Sequence, residues 1–317
     1  MKLNRMKLLG VVLLAGFTAA VAQAASLGSS DLPVGVNWYA HVNMELIRTT
    51  EVGRQLMQET IDEALDDIED EFAIDIASEL DGITLFGGEL PVNQGAVLLH
   101  GTISAANQAA IMARLEEEGA NTFASENNGM TFYTIPEGDG SMTYDDVDGH
   151  VEEVSFGQRE ELYFSFGSRQ TLITHSMDTM QNFLSAGGYL SSLESDDTGA
   201  LVILQADRAL MQGGANTSMG LGGSFDSSIF NNLDSVAMVI SEDSGGLNIN
   251  AELSADSPEV AMNVRNIVEG LVALKALEGS DDDIGQVLRS VRFESDGNKL
   301  RVYVPIAADQ IDALGDL

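Results

Sequence analysis

Carboxylates are the groups of this chain most able to do chemistry, because 50 Asp and Glu stand against 15 Lys and Arg in 317 residues. Asp146 and Asp148, followed by Gly149, are hard oxygen ligands of the kind that binds Ca²⁺. If these aspartates held the third and fifth positions of an EF-hand loop, Tyr144 and Ser155 would hold the first and twelfth, where the loop requires oxygen ligands of higher charge. The spacing therefore favours a solvated acidic loop over a calcium site.

The densest run of carboxylates lies between residues 62 and 71, and no Lys or Arg occurs from residue 55 to residue 113. Apolar residues recur around this run at helical spacing, which predicts an amphipathic helix over residues 51–72. A charged helix face usually lies toward solvent, and docking to a basic partner surface is the alternative. The partner-binding candidates on this face are Asp66, Asp67, Asp70 and Glu71.

Four cations cluster close to the C-terminus, namely Arg289, Arg292, Lys299 and Arg301. Lys299 and Arg301 alternate along a predicted strand, so both should point away from the core on the same face. They either balance acidic residues of the first half of the chain or contact an anionic group. The abundance of acids favours the first interpretation, and the second makes both residues partner-binding candidates.

Histidine and cysteine supply no recognisable catalytic or metal-binding motif. The chain has no Cys, which excludes disulfides, thiolate metal sites and cysteine nucleophiles. The four histidines, His41, His100, His150 and His175, are far apart and lack metal-binding spacing, and no nucleophile elbow or phosphate-binding loop occurs. His100 and His175 lie in or beside predicted strands, where a structural role is expected. We therefore predict a non-catalytic protein without a cofactor or a metal.

Two alternatives to a non-catalytic binding protein stay open. Among 50 carboxylates some pair must lie close in space, which allows a carboxylate-dependent hydrolase acting in the cell envelope. Trp38, Tyr39, Phe164 and Phe166 could instead line the cleft of an apolar-ligand carrier, although aromatic residues of strands are more often part of the core.

The N-terminus has the pattern of a cleaved export signal. Lys2, Arg5 and Lys7 precede an apolar stretch, and the small residues Ala22 and Ala24 predict cleavage after Ala24. Removing three cations and no acids changes the charge from 15 − 50 = −35 to 12 − 50 = −38. Such a charge excludes an ordinary nucleic-acid binder. No later segment reaches the roughly 20 apolar residues of a membrane-spanning helix, so a periplasmic or extracellular protein without a transmembrane segment is expected.

The elements that position these residues occur twice along the chain. A Leu-Asp pair opens a strand at Leu80 and again at Leu233, and a helix follows each second strand, after Ser104 and after Ser257. Hairpin turns follow both helices, at Asn128-Gly129 and at Asp296-Gly297. We therefore predict an α+β fold made of two tandem copies of a module, with antiparallel sheet and helices packed on one face.

The predicted domains are a leader over residues 1–24, a first module over residues 25–194 and a second module over residues 195–317, with the boundary near residues 194–198. The first module includes the acidic helix and an extra hairpin-helix, with strands at residues 162–166 and 171–175 and a helix capped by Ser176. The second module has a glycine-rich segment over residues 213–224, interpreted as a flexible surface loop or a mobile lid.

The helix after Ser257 has the clearest amphipathic pattern, with Pro258 at its first position and Gly279 beyond its end. One apolar stripe should face the core along its whole length. Its members are Val260, Val264, Ile267, Val268, Leu271 and Leu274.

An early strand becomes a helix at residues 42–46, and two blocks of Leu-Asp, helix and Asn/Asp-Gly hairpin follow. With the leader, this order resembles a group of uncharacterised exported proteins of Gram-negative bacteria. The resemblance covers most of the mature chain and implies a fold and a compartment, but it transfers no functional residue. We therefore expect an acidic bacterial protein, periplasmic or secreted, that binds an envelope protein or a ligand.

Overall fold

A computed structural model of the chain describes residues 36–56, 79–88, 95–117, 120–136, 138–145, 151–159, 161–186, 199–207, 232–243, 246–278 and 283–311. Several predicted features lie outside these residues. They are the leader, the glycine-rich segment, the boundary near residues 194–198, His150, the acidic candidates Asp66, Asp67, Asp70 and Glu71, and the calcium candidates Asp146 and Asp148.

Strands make up most of the described chain. They are β1 (Trp38–Asn43), β2 (Leu80–Gly87), β3 (Ala96–Gly101), β4 (Phe123–Asn127), β5 (Met130–Ile135), β6 (Gly138–Asp145), β7 (Val151–Arg159), β8 (Leu162–Phe166), β9 (Gln170–Thr174), β10 (Ala200–Asp207), β11 (Leu233–Asp243), β12 (Gly246–Ala255), β13 (Arg292–Asp296) and β14 (Lys299–Ile306). The predicted strand pair of the extra hairpin is confirmed as β8 and β9.

Twelve of these strands form one antiparallel sheet in the order β13-β14-β12-β11-β10-β1-β2-β3-β9-β8-β5-β4, and β6 pairs with β7 as a separate hairpin. The predicted α+β class with antiparallel sheet is confirmed. β1 pairs with both β2 and β10, with Ala40 opposite Leu85 on one side and Leu204 on the other. The two halves of the chain therefore share a single sheet.

Six helices accompany the sheet within the described ranges. They are α1 (Met44–Thr49), α2 (Glu51–Leu56), α3 (Ala105–Glu117), α4 (Met177–Ala186), α5 (Pro258–Glu278) and α6 (Asp283–Ser290), followed by a short 3-10 helix at Ala308–Gln310. The acidic helix predicted over residues 51–72 is described only as far as Leu56, the end of α2.

Polar side chains cap three helices, at Ser176 and Ser257 as the sequence predicts and also at Asn43. Asn43 Oδ1 accepts a hydrogen bond of 2.9 Å from Leu46 N at the start of α1. Ser176 Oγ and Ser257 Oγ accept bonds of 3.2 Å and 3.3 Å at the starts of α4 and α5. These bonds satisfy backbone donors that the first helical turn leaves unpaired.

Two-residue turns close the hairpins at both edges of the sheet. Asn128 and Gly129 have φ angles of 52° and 76°, as a type I′ turn requires. In the second hairpin the turn residues are Gly297, with φ of 60°, and Asn298, while Asp296 is the last residue of β13. The predicted hairpin is present, with its turn one residue further along the chain.

Helices pack on both faces of the sheet, so the prediction of helices on one face is wrong. Tyr39 belongs to a buried cluster with Met180 and Phe183 of α4, whereas Val42 belongs to a cluster with Met44 of α1. Residues 39 and 42 lie on opposite faces because side chains alternate along a strand. The extra hairpin-helix of the first half thus supplies a helix on the face opposite α1, α5 and α6.

The apolar stripe of α5 is buried only in its first half. Val264 is buried, but Ile267, Leu271 and Leu274 expose 39%, 40% and 55% of their surface, contrary to the prediction. The helix of 21 residues is roughly 31 Å long, whereas the five residues of the edge strand β13 span roughly 17 Å. The start of α5 packs on Leu300 and Val302 of β14, whereas Leu271 and Leu274 lie outside this buried cluster.

None of the helices formed by the described residues combines the length and apolarity needed to cross a membrane.

Candidate functional site

Two polar clusters are built by the sheet, and the first joins β1, β2 and β3. Thr84 Oγ1 lies 2.9 Å from His41 Nδ1 and 2.7 Å from His100 Nε2. His41 is directly opposite Thr84, and His100 is opposite Gly82 on the next strand pair. One hydroxyl thus links two imidazoles across three neighbouring strands.

The protonation state and tautomer of each imidazole decide which atoms donate in this cluster. A hydroxyl has one proton and two lone pairs, so Thr84 can donate to at most one of the two rings. Burial lowers the pKa of His41 to about 3, and repulsion by His100 acts in the same direction. Burial likewise lowers the pKa of His100 to about 4 against the opposing charge of Asp81. Both rings are therefore uncharged at neutral pH.

A catalytic role for this cluster is excluded by its burial. His41, Thr84 and His100 expose 5%, 0% and 2% of their surface, so the hydroxyl cannot reach a substrate. His100 Nδ1 has no hydrogen-bond partner among the described residues, which leaves one polar atom unpaired inside the sheet. The cluster is a structural link between central strands, in agreement with the role predicted for His100.

The second cluster lies on β12 and β14 and contains the predicted residues Lys299 and Arg301. Arg301 Nε donates to Glu252 Oε2 over 2.9 Å, and Lys299 Nζ donates to Glu252 Oε1. Their side chains are 34% and 43% exposed, and that of Glu252 is 21% exposed. The carboxylate that balances both cations belongs to the second half of the chain, and the prediction of first-half partners is wrong for this contact.

Neighbouring charges and burial have opposite effects on the pKa of Glu252. Partial burial raises the pKa of its carboxyl, but the hydrogen bonds and charges of Lys299 and Arg301 together bring that pKa below its usual value. The hydrogen bond and the charge of Glu252 raise the pKa of Arg301 in turn. Glu252 is consequently ionised and holds both cations on the sheet surface.

The register of β12, β14 and β13 places a set of polar side chains on the same face as this cluster. We call this surface the polar face; its members are Asn250, Glu252, Arg292, Glu294, Asp296, Lys299, Arg301 and Tyr303. Tyr303 Oη donates to Glu294 Oε2 over 3.2 Å. Burial and the neighbouring carboxylate of Glu294 both raise the pKa of this phenol, which stays protonated.

Helices α5 and α6 both pack on the other side of these strands. Leu300 and Val302 alternate with the cations along β14 and are buried against Ala261 and Val264 of α5. Val287 of α6 joins the neighbouring cluster with Val304. Because both helices occupy the opposite side, neither covers the polar face, on which Lys299, Arg301 and Tyr303 are partly exposed and Asn250 is buried.

The aromatic residues predicted for an apolar cleft are divided between the two faces of the sheet. Tyr39 is buried in the core cluster beside α4, and Trp38, its neighbour in β1, points to the opposite face. Phe164 is buried and stacks on Tyr133 with ring centroids 5.1 Å apart. Tyr39 and Phe164 are therefore core residues, which is the other interpretation that the sequence allows.

The described part of the chain contains no group of three or more His, Asp or Glu side chains that could hold a metal ion.

The sequence pattern missed the His41–Thr84–His100 cluster, because its members meet only through strand order. Glu252 could have been found, since it alternates with Asn248 and Asn250 on the polar side of a predicted strand.

No protein-family model and no curated protein matches the sequence. Solved structures of TP0453 are similar to the chain. Crystal form III has a TM-score of 0.46 at 10% identity, with 91% of this chain and 97% of that chain covered. Crystal form I has a TM-score of 0.46 at 11% identity, with 92% and 97% covered. Similarity at this level assigns neither a family nor a function to the chain.

Proposed function

We propose that the chain is a non-catalytic, exported acidic protein that binds a partner protein through the polar face. The observation that carries this proposal is the arrangement of Glu252 between Lys299 and Arg301 on a sheet surface whose neighbouring helices, α5 and α6, pack behind it. A polar surface with paired charges suits the wet contacts of a reversible protein–protein interface.

The balance of charge makes this surface distinctive within the molecule. Three cations, Arg292, Lys299 and Arg301, face three carboxylates, whereas the whole chain has a net charge of −35. The net negative charge of the chain repels other acidic proteins, and the polar face, whose charges balance, adds nothing to this repulsion. The partner that fits is therefore a protein with charges of both signs.

The ion pairs of the polar face can be replaced by contacts with a partner with little loss of folding free energy. Pairs between partly exposed side chains contribute only about 0.2–1 kcal/mol each, so replacing one with an interfacial pair changes the stability little. Such residues set the association rate and the specificity more than the affinity.

Export and compartment are part of the same proposal. The positive residues before an apolar stretch and the small residues at Ala22 and Ala24 support cleavage after Ala24 and a periplasmic or extracellular location. The resemblance to exported proteins of Gram-negative bacteria supports the same compartment.

We also propose that the two halves are copies of one module. Outward from the central pair of β1 and β10, the sheet runs β1-β2-β3 and then β5-β4 on one side, and β10-β11-β12-β14-β13 on the other. The extra pair β9-β8 is inserted between β3 and β5. Strands follow one another outward in the same order on both sides, which supports a duplication with one insertion.

Site-specific photocrosslinking in the native host tests the function. A benzophenone amino acid replaces Tyr303 on the polar face and, in a matched control, Leu274 on the opposite side of the sheet. We expect one discrete adduct from the Tyr303 variant and none from the Leu274 variant at equal expression. If the Tyr303 variant forms no adduct above the control, the polar face is not a partner-binding surface.

A further inference from the structure

A groove of about 590 Å³ opens between α3 and the start of β4. One wall is a single helix face, formed by Ala109, Met112, Ala113 and Glu116 at helical spacing. The other wall is the connection over residues 120–123, which ends with Phe123. Most of these side chains are apolar, so the groove offers an apolar wall at the edge of the sheet.

β4, which this groove adjoins, is the last strand of the sheet. Its described strand neighbour is β5 alone, and the residues from Phe123 to Glu126 are exposed. Phe123 exposes 58% of its surface. β4 contains no Pro and no Lys, the residues that usually protect an edge strand from pairing. Its outer edge can therefore accept another strand.

In the second half of the chain, a side chain bridges the space between α5 and β13, which corresponds to the groove between α3 and β4. Counted from the capping residues Ser104 and Ser257, Met112 corresponds to Arg265. Arg265 donates to Glu269 Oε1 over 2.7 Å and to Ser295 Oγ on β13 over 3.3 Å. A long cation thus bridges helix and edge strand in the second half, where the first half has a methionine beside an open groove.

Charge around the groove selects the kind of partner. Glu116 stands in its wall and Glu126 is exposed on β4, while the nearby Arg114 pairs with Glu117 over 3.5 Å. The acidic rim, on a chain of net charge −35, attracts cationic segments and repels anionic ones.

We propose that the groove and the edge of β4 bind an extended, basic peptide segment of a partner protein. The segment adds a strand to β4, inserts an apolar side chain between Met112 and Phe123, and places Lys or Arg beside Glu116 and Glu126. Backbone pairing supplies affinity in this mode, and alternate side chains supply specificity. This contact is a second surface and goes beyond the polar face.

Selection from a random heptapeptide library displayed on phage tests the proposal with the full mature chain. Fluorescein-labelled copies of the enriched peptides are then measured by fluorescence anisotropy. We expect enriched sequences in which apolar residues alternate with Lys or Arg. Methylating the central backbone nitrogens of such a peptide should weaken binding at least tenfold, because strand pairing is lost.

Two arginine variants of α3 locate the binding site. Ala113→Arg fills the exposed groove wall and should weaken peptide binding at least tenfold. Ala106→Arg adds the same charge at an exposed position outside the groove and should leave binding unchanged. Circular dichroism verifies that both variants fold. The proposal is overturned by an absence of enriched peptides, by enrichment of acidic ones, or by equal binding to the two variants.

Discussion

The imidazole rings of His41 and His100 lie edge to face, with centroids 5.5 Å apart and an interplanar angle of 87°. They come from β1 and β3, and the hydroxyl of Thr84 on the intervening strand contacts both. A protonated ring here would bring a charge into a buried site beside a second imidazole. Both pKa values are therefore held below 6.5 by the fold itself, and the folded state depends on pH through this link.

Stability should fall as the pH decreases below about 6.5. The folded pKa values are about 3 for His41 and about 4 for His100, against 6.5 for each in the unfolded chain. Below pH 6.5 the unfolded chain binds more protons, so the stabilisation present at higher pH is lost as the pH falls through this window. At pH 5 the loss is about 2 kcal/mol for each histidine, and urea unfolding at pH 7.5 and pH 5 measures it.

Two variants separate this effect from the general charge of the chain. His100→Gln removes one of the two titrating rings and should roughly halve the loss of stability between the two pH values. His175→Gln alters an exposed histidine outside the cluster and serves as the control. Equal pH dependence in the wild type and the His100→Gln variant would contradict the assignment.

The ion pairs of Glu252 should contribute little to stability. Replacing Glu252→Gln removes the carboxylate charge that faces Lys299 and Arg301. Since all three side chains are partly exposed, we expect a loss of less than about 1 kcal/mol in the free energy of unfolding. Urea titrations of both proteins should converge in 1 M NaCl, where charges are screened. A loss that persists in high salt would indicate a packing role for Glu252.

The two ends of the α5 stripe should respond differently to the same change. Val264→Ser removes a buried apolar side chain and introduces a hydroxyl, which should cost about 2–3 kcal/mol. Leu274→Ser alters a side chain that is 55% exposed and should cost about 0.5 kcal/mol. Thermal unfolding of both variants checks the difference, and comparable losses would show that Leu274 is covered in solution.

Local elements were predictable from the sequence because local interactions determine them. The caps Asn43, Ser176 and Ser257 and the turn at Asn128 act within a few residues. The face chosen by α4 was not predictable, because an apolar stripe is equally compatible with either side of a sheet.

One of the two polar clusters was predictable from the sequence, and the other was not. Apolar and polar residues alternate along β12 and β14, and this pattern places Glu252, Lys299 and Arg301 on the polar side of their strands. The contact of His41 with Thr84 and of Thr84 with His100 needs the strand order and the register, which the pattern of single residues does not contain. The place of His100 in a predicted strand therefore indicated a structural role without identifying its partners.

Alanine should have opposite effects at two glycines of this fold. Gly101, directly after His100, has φ of 124°, and a Cβ there would lie 2.1 Å from the backbone oxygen of Glu79. Gly101→Ala must shift backbone at the end of β3 and should cost at least about 2 kcal/mol. Gly270 lies inside α5, and a Cβ added there would meet nothing within 4 Å, so Gly270→Ala should stabilise by about 0.5–1 kcal/mol. Urea unfolding of both variants measures the signs, and a neutral Gly101→Ala variant would show that the end of β3 adapts.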